Sequence, residues 1–345
     1  MLKKRLLKKS SGRGVFKNKV DGWEHKSKEY SKLFDETRKE IANIIVGQDE
    51  VIDSMLRCLI ANGHALVEGV PGVAKTLLIR TLAKATGCDF KRIQFTIDLL
   101  PTDIIGITSY DPMKKEFRTE KGPVFTNFIL ADEINRSSPK TQSALLESMQ
   151  EKQVTINKIT YPLPLPFFVM ATMNPLESEG VYPLPEAQID RFLFKINMDL
   201  PNPKEEQAIL KKNITLYRFE DYTVKAILNP KKIIEIQEFV RDKIYLSPEL
   251  EEYIIRIVDA TRKNEKFKLG RYIAYGGSPR ASIGLFIAAK AQALLKGSSF
   301  VTPQHIKDVA KSVMRHRILL NYEGQAENIT TDQIIDEIIS KVPIP

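Results

Sequence analysis

The chain of 345 residues is 43% hydrophobic and 28% charged, a composition typical of a soluble globular protein with room for two ordinary domains. No run approaches the roughly 18 consecutive apolar residues of a membrane span, and the first residues lack the apolar middle of a secretory signal, so we expect a cytoplasmic protein. The net charge of +9 is concentrated in residues 1–20, which hold eight Lys or Arg and no acid. We therefore predict a basic flexible tail over residues 1–25 and a nearly neutral remainder, which disfavours a nucleic-acid binder.

Cysteine and histidine give no sign of a metal site. Cys58 and Cys88 are isolated and outside C-x-x-C spacing, so we expect free thiols in a reducing compartment. The four histidines do not cluster, whereas metal sites need clustered ligands. We expect His305 and His316 to face solvent on helices.

Apolar, β-branched runs recur through residues 26–202, with helical or irregular stretches between them. Helices are expected over residues 29–42 and, after Gly47 breaks the pattern, up to about Ala61. Buried strands that alternate with helices predict a parallel α/β sheet. The five predicted strands are residues 64–67, 90–95, 128–132, 167–172 and 192–196.

Two segments interrupt this alternation. Residues 104–121 contain an Asp-Pro-Met turn, and residues 153–166 carry Val-Thr-Ile and Ile-Thr-Tyr on either side of Asn157 and Lys158. Each segment predicts a β-hairpin inserted in the α/β core.

From residue 203 onward the pattern predicts helices only. Most of these helices open with a Pro or Ser in a start position. A second, all-helical domain over residues 203–345 follows. The predicted helices are residues 204–212, 230–243, 247–263, 279–296, 303–316 and 332–339.

Residues 69–76 read GVPGVAKT, between an apolar strand and a helical run. Backbone N–H groups freed by the Gly and Pro turn, together with a helix N-terminus, form a concave positive site for a triphosphate. Lys75 would reach the outer phosphates and Thr76 would hold Mg²⁺. The ordinary motif has Gly where this chain has Ala74, and Ala is tolerated there if its backbone is right-handed helical. The predicted nucleotide-binding residues are Gly69, Val70, Pro71, Gly72, Val73, Ala74, Lys75, Thr76 and Leu77, with Gly47 and Gln48.

Two acids end the apolar strand of FILADEIN, residues 128–135. Asp132 can hold Mg²⁺ through water, and Glu133 can orient and deprotonate an attacking water. Burying two acids is costly unless a metal or hydrogen bonds answer them. The alternative is that they cap the following helix.

The strand in PFFVMATM is followed by Asn174, within ATMNP at residues 171–175. An amide at this position can bond both the γ-phosphate and the nucleophilic water. An Asn before Pro is also an ordinary turn, which is the alternative.

Five segments in this order resemble the MoxR branch of the AAA+ ATPases: GVPGVAKT, LADEINRSSPKTQSALLESMQE, FFVMATMNP, PLPEAQIDRF and GGSPRA. The resemblance extends from about Ile45 to the last helices, and in this branch the loop usually has Ala before Lys. It implies an α/β AAA+ P-loop NTPase fold, with a five-stranded parallel sheet, inserted β-hairpins and a C-terminal all-helical lid. It also assigns Lys75 and Thr76 to the phosphate loop, Asp132 and Glu133 to metal and water, and Asn174 to sensing.

Two arginines receive a role through the resemblance alone. Arg191, in IDRF, is implied to be the finger that completes a neighbouring subunit's site, with a surface salt bridge as the alternative. Arg280, in GGSPRA, resembles the sensor-two arginine that couples the γ-phosphate to the lid, in cis or in trans, with an ordinary helix-start residue as the alternative. The role of Arg136, close to the two acids, is left open.

The resemblance implies a ring, most simply a hexamer, that uses ATP and Mg²⁺. The leading hypothesis is a chaperone-like motor that remodels, assembles or activates protein complexes, with a separate von Willebrand factor A domain protein as partner. A nucleic-acid motor is the competing hypothesis, because Lys114, Lys115 and Lys158 lie near predicted hairpin tips. A chelatase-type motor subunit is a third.

Overall fold

One parallel sheet carries the first part of the chain in the computed structural model, which describes residues 13–175, 180–211, 219–263 and 266–345. Its strands are β1 (Ala65–Gly69), β2 (Phe90–Gln94), β5 (Phe128–Asp132), β8 (Phe168–Met173) and β9 (Phe194–Met198). Their order in the sheet is β2-β5-β8-β1-β9, and all four neighbouring pairs are parallel. The expected five-stranded parallel sheet is therefore confirmed.

The central strands are buried on both faces, as expected for a parallel sheet covered by helices. In β5 every residue from Phe128 to Ala131 is buried, and in β8 every residue from Phe168 to Thr172 is buried. The helices of this part are α1 (Arg13–Ala42), α2 (Asp49–Ile60), α3 (Lys75–Ala85), α4 (Pro101–Ile105), α5 (Pro139–Glu151) and α6 (Glu186–Ile189). The proposed boundary after residue 25 falls within α1, and residues 1–12 of the predicted tail lie outside the described residues.

Both predicted hairpins are confirmed. Strands β3 (Gly106–Asp111) and β4 (Glu116–Lys121) pair antiparallel, as do β6 (Gln153–Ile156) and β7 (Ile159–Pro162). The first hairpin exposes Met113 at its tip, where this side chain is 93% exposed, and Tyr110 and Phe117 on the adjoining strands.

The proposed lid, from residue 203, is helical apart from one pair of short strands. Strands β10 (Ile273–Tyr275) and β11 (Leu319–Leu320) pair antiparallel, and helices alone were expected here. Runs of three and two residues are too short to show a period-two pattern. The lid helices are α7 (Pro203–Lys211), α8 (Pro230–Lys243), α9 (Pro248–Arg262), α10 (Pro279–Leu295), α11 (Pro303–Met314), α12 (Tyr322–Ala326) and α13 (Thr331–Lys341). Lys212, at the end of the first predicted lid helix, lies outside the described residues.

The expectation that His305 and His316 face solvent is wrong, because both are buried. His305 Nδ1 accepts a hydrogen bond from the Thr302 N–H at the start of α11, at 3.2 Å. His316 Nε2 lies 3.0 Å from the carbonyl oxygen of Phe192 in the core. Burial lowers the pKa of both imidazoles. His305 lies against the start of its own helix, and His316 lies against the segment before β9. A helix pattern in the sequence does not reveal either contact.

The expectation of free thiols is confirmed, since Cys58 and Cys88 are unbonded to each other and buried. Burial raises the pKa of both thiols, so they are poor nucleophiles.

Among the described residues, every helix is too short or too polar to cross a bilayer.

Candidate active site

The loop after β1 turns through two residues with positive φ. Gly72 has φ +86°, and a Cβ added there would meet nothing within 4 Å. Ala74 has φ +64° and ψ +28°, so right-handed dihedrals at this position are not found. A left-handed backbone costs a non-glycine residue about 1–2 kcal/mol. The strained residue is held because its carbonyl accepts the first helical hydrogen bond of α3, from the Leu78 N–H at 2.9 Å.

The N-terminus of α3 forms the wall of this loop. No side chain caps the helix, and first-turn N–H groups of an α-helix have no acceptor within the helix. Lys75 Nζ donates to the carbonyl of Gly69 at 2.6 Å, which folds the ammonium back over the loop. Backbone N–H groups and an ammonium together suit an anionic phosphate chain.

Asp132 is fixed at the carboxyl end of β5 by two neighbouring strands. Its Oδ1 accepts from Thr172 Oγ1 at 2.6 Å. Its Oδ2 accepts from Arg92 Nη2 at 2.6 Å and from Arg92 Nε at 3.0 Å. The carboxylate is thus hydrogen-bonded to a hydroxyl and paired with a guanidinium, which offsets the cost of its partly buried position.

Glu133 follows with a left-handed backbone, at φ +56°. Its Oε2 accepts from Gln94 Nε2 at 2.7 Å and lies 3.2 Å from Arg136 Nη1. Its N–H donates to Thr172 Oγ1 at 2.9 Å. It makes no side-chain cap to the short 3-10 helix that follows, so the capping alternative is not supported. Arg136, whose role the sequence left open, lies beside the Glu133 carboxylate.

One cavity of about 370 Å³ brings most of the predicted site together. It lies at the carboxyl edge of the sheet, where ligands bind in open α/β folds. Asn174 follows β8, is buried, and lines this cavity, so it is more than a surface turn. The lining residues are Pro71, Gly72, Ala74, Lys75, Thr76, Leu77, Asp132, Glu133 and Asn174.

The other residues of the predicted loop lie behind this cavity. Val73 is buried, and a Cβ at Gly69 would lie 2.7 Å from the Met198 carbonyl oxygen of the neighbouring strand. Val70 packs against the hydrophobic core. These three residues therefore shape the loop from its inner side.

Gly47 and Gln48 line a second cavity of about 500 Å³, between the end of β9 and the lid helix α11. Gln48 Nε2 donates to the Asp199 carbonyl at 3.1 Å. Gly47 has φ +73°, and a Cβ there would overlap the Glu205 side chain. Gln48 thus holds the segment after β9, and Gly47 lies directly against α7 of the proposed lid.

The residues present fit Mg²⁺ held together with a nucleotide. Thr76 and Asp132 supply hard oxygen donors to the first cavity. Among the described residues there is no group of three or more His, Cys, Asp or Glu that could hold a metal. Mg²⁺ is commonly bound in this way, by one or two protein oxygens with substrate phosphates and water.

Arg191 and Arg280 lie elsewhere. They line a separate cavity of about 250 Å³. Arg191 precedes β9, whereas the phosphate loop follows the parallel strand β1. The two therefore lie at opposite ends of the strands, Arg191 at the amino end and the loop at the carboxyl end. A five-residue strand spans about 16 Å. Arg280 Nη1 lies 4.0 Å from Asp190 Oδ2, so it shares the edge of Arg191.

Comparison with known proteins assigns the class. A family model described as the ATPase family associated with various cellular activities (AAA) matches residues 64–194, and one described as an AAA lid domain matches residues 269–338. The chain is 48% identical over 311 residues to Chaperone MoxR1 of Mycobacterium tuberculosis, covering 89% of this chain and 81% of that protein. It is 31% identical over 324 residues to Protein MoxR of Methylorubrum extorquens, covering 89% and 94%.

The chain belongs to the MoxR family of AAA+ ATPases. A 2.00 Å crystal structure of a candidate ATPase from Cytophaga hutchinsonii agrees with the fold, with a TM-score of 0.87 and 47% identity over 94% of this chain and 99% of that one. The resemblance read from the motifs is confirmed, and this MoxR-family protein is a chaperone-like AAA+ ATPase. AAA+ membership also indicates assembly into an oligomeric ring.

Sequence reasoning missed three members of the MoxR-family site: Arg92, Gln94 and Thr172. All three bond the acids; Arg92 and Gln94 lie outside the quoted motifs, and Thr172 lies within ATMNP but received no role from it. A signal existed in β2, where Arg92 and Gln94 alternate with the buried Ile93 and so share one face of the strand.

Proposed function

We propose that this chain binds ATP with Mg²⁺ and hydrolyses it to ADP and phosphate, and that it uses this cycle to remodel, assemble or activate other protein complexes. One observation carries the proposal: phosphate loop, Asp132, Glu133 and Asn174 line a single cavity. A cavity with an anion cradle at one wall and two acids and an amide at the other suits in-line attack of water on a phosphoryl group.

Each residue then has a chemical role. The N–H groups of α3 and Lys75 bind and orient the phosphate chain. Glu133, held by Gln94 and Arg136, accepts the proton of the attacking water, and Asn174 orients that water against the γ-phosphate. Mg²⁺, with Thr76 and Asp132 as its protein ligands, would neutralise charge on the phosphate oxygens.

We propose that Arg191 and Arg280 act in trans, on the nucleotide of the next subunit in a hexameric ring. Support comes from their place at the amino edge of the sheet, one strand length from their own phosphate loop. A guanidinium supplied by a neighbour stabilises charge in the transition state, and such fingers contribute roughly 10³- to 10⁵-fold in GTPases.

The nucleoside would lie in the cavity lined by Gly47 and Gln48. This cavity contains both backbone of the core and polar residues of α11, among them Asp308 and Lys311. A nucleoside held there would touch the core and the lid at once, so hydrolysis and release would change the angle between them.

A polypeptide is the proposed client. Support comes from the exposed apolar and aromatic residues of the β3–β4 hairpin, where Met113 is 93% and Phe117 is 74% exposed and Tyr110 packs edge-on against Phe117. Large exposed apolar groups mark protein interaction sites. We propose a separate von Willebrand factor A domain protein as partner and a cytoplasmic location, with which the free thiols Cys58 and Cys88 agree.

The test compares Glu133→Gln with Lys75→Ala. Glu133→Gln removes the proton acceptor but leaves the phosphate loop intact, so we expect it to bind ATP, to hydrolyse it at least about 10²-fold more slowly, and to retain a protein partner while ATP is bound. Lys75→Ala is the matched control, because it should lose both ATP and the partner. Binding is measured with labelled ATP and the partner by pull-down.

Three results would contradict the proposal. Wild-type protein with Mg²⁺ that neither binds nor cleaves ATP would remove the ATPase role. Recovery of nucleic acid alone, with ATPase activity stimulated by DNA or RNA and falling steeply with salt, would indicate a nucleic-acid motor. ATP-dependent insertion of a metal ion into an organic ring by a partner complex would indicate a chelatase subunit.

A further inference from the structure

The lid residue Arg317 reaches into the core around Arg191. Its side chain is 3% exposed, and its Nε donates to Asp190 Oδ1 at 2.6 Å. It also donates to three main-chain carbonyls, those of Asp190 at 3.1 Å, Phe192 at 2.7 Å and Leu193 at 3.1 Å. Arg317 therefore bonds each residue of the segment 190–193 except Arg191 itself.

All five N–H groups of this guanidinium are used. The fifth donates to the carbonyl of Val313, in the last turn of α11, the helix that ends three residues before Arg317. A planar fork of five donors is a property of arginine, and the single ammonium of a lysine does not reproduce it. His316, the preceding residue, lies 3.0 Å from the same Phe192 carbonyl.

Asp190 receives two further lid residues on its other oxygen. Ser278 Oγ, at the N-cap of α10, donates to Asp190 Oδ2 at 2.9 Å, and Arg280 lies 4.0 Å from that oxygen. The carboxylate directly before Arg191 is thus bound by the start of α10 and by the turn that follows α11. Arg191 itself is exposed, and the one hydrogen bond of its side chain among the described residues is a longer one of 3.3 Å, from Nη1 to the Leu146 carbonyl.

We propose that Arg317 and Asp190 are positioning residues, which lock the backbone of segment 190–193 to the lid so that Arg191 and Arg280 approach the neighbouring subunit's nucleotide as one rigid unit. This inference rests on the proposed role of Arg191 in trans. Because all five N–H groups of Arg317 already have protein acceptors, it acts through the direction in which Arg191 leaves the core. Lid position in one subunit then sets hydrolysis in the adjacent one.

The first measurement uses Arg317→Lys, which keeps a cation and loses the fork. A misplacement of about 1 Å in a catalytic group can cost about 10²-fold in rate, so we expect kcat to fall by that order. The Kd for ATP should stay within about 2-fold, because the phosphate loop lies at the opposite edge of the sheet. Arg256→Lys is the matched control, since this exposed lid arginine donates to the Pro343 carbonyl and lies over the Tyr253 ring, away from segment 190–193, and its kcat should be unchanged.

Mixed rings separate a positioning role from a general folding defect. Arg317→Lys subunits have an intact phosphate loop and base, and Glu133→Gln subunits have an intact Arg191. Mixed before assembly, they should regain activity at least about 10-fold above either variant alone, because a completed finger contributes roughly 10³-fold or more. A mixture of Arg317→Lys with Arg191→Ala should stay inactive, because both lack the same component.

The outcomes distinguish this inference from the proposed function. If Arg191→Ala mixed with Glu133→Gln is not rescued, the trans role of Arg191 fails and the inference falls with it. If that pair is rescued but Arg317→Lys with Glu133→Gln is not, the positioning role alone is overturned. A loss of ATP affinity in Arg317→Lys would overturn it too. Should this variant not fold, Asp190→Asn, which keeps the shape and one acceptor, replaces it with the same expectations.

Discussion

His64 stands directly before β1 with both ring nitrogens engaged. Nδ1 accepts from the Val169 N–H at 3.1 Å, and Nε2 lies 3.1 Å from the Met149 carbonyl oxygen, to which it can donate. A neutral imidazole satisfies both bonds, whereas protonation of Nδ1 would break the first. Burial lowers the pKa of His64 from 6.5 to about 4, with Lys152 adding to the effect.

We therefore expect acid to destabilise the protein through His64. The unfolded chain binds the proton at higher pH than the folded one, so stability falls as pH drops below 6.5 and continues to fall until about pH 4. From pH 7 to pH 5 the loss from this group is about 2 kcal/mol. Denaturant unfolding of wild type and His64→Gln at both pH values measures it. An equal pH dependence in the two proteins would contradict the assignment.

At the level of single residues, the sequence predicts a site member well when it follows a strand within a motif. Lys75, Asp132 and Asn174 meet that condition, and the structure brings them to one cavity. Arg317 and His316 do not, because their partners lie more than a hundred residues away in the chain. Their role depends on the docking of the lid, which no local pattern encodes.

Among the elements, the β3–β4 hairpin depends on one glycine at its base. Gly106 has φ +105°, and a Cβ there would lie 2.2 Å from the Glu120 carbonyl oxygen and 2.6 Å from the Gly122 nitrogen. Neither neighbour can give way, since both are backbone. The conformation is also one that side-chain-bearing residues rarely adopt.

Gly106→Ala should destabilise the protein by about 2 kcal/mol or more and increase hydrogen exchange along β3 and β4. Gly22→Ala is the matched control with the opposite sign. Gly22 lies within α1 with nothing near its Cβ position, so alanine should stabilise by up to about 1 kcal/mol. Thermal unfolding reports both, and a tolerated Gly106→Ala would show that the hairpin base can shift.

The elements were predictable to the extent that their patterns were long. Strand β5 ends at Asp132 as predicted, because an unbroken apolar run there stops at two acids. Ala74 shows the limit at the scale of one turn: its left-handed backbone is imposed by the chain's path from β1 into α3, against the preference of alanine. The β10–β11 pair was not predictable, because β10 precedes α10 and β11 follows α11. The two short strands pair only when those two helices pack side by side.

For the whole molecule, the proposed role of Arg191 in trans makes ATPase activity depend on protein concentration. We expect ATPase activity per subunit to fall at least about 10²-fold on dilution below the dissociation of the ring, because the finger contributes roughly 10³-fold or more. ATP binding per subunit should persist, since the phosphate loop and Gly47 belong to one chain. Rate and sedimentation measured over the same dilution series test this. Constant specific activity in dissociated subunits would contradict it.

The phosphate loop and Arg191 lie at opposite ends of the parallel strands, and this separation gives the subunit a polarity. With Arg191 acting in trans as proposed, one end of the subunit accepts a guanidinium and the other offers one, so association is heterologous, head to tail. An open row of such subunits always leaves one phosphate loop without a neighbour's arginine at one end and one unused arginine at the other. Only a closed ring pairs every phosphate loop with a neighbour's arginine, so the loss of one subunit inactivates the site beside the gap.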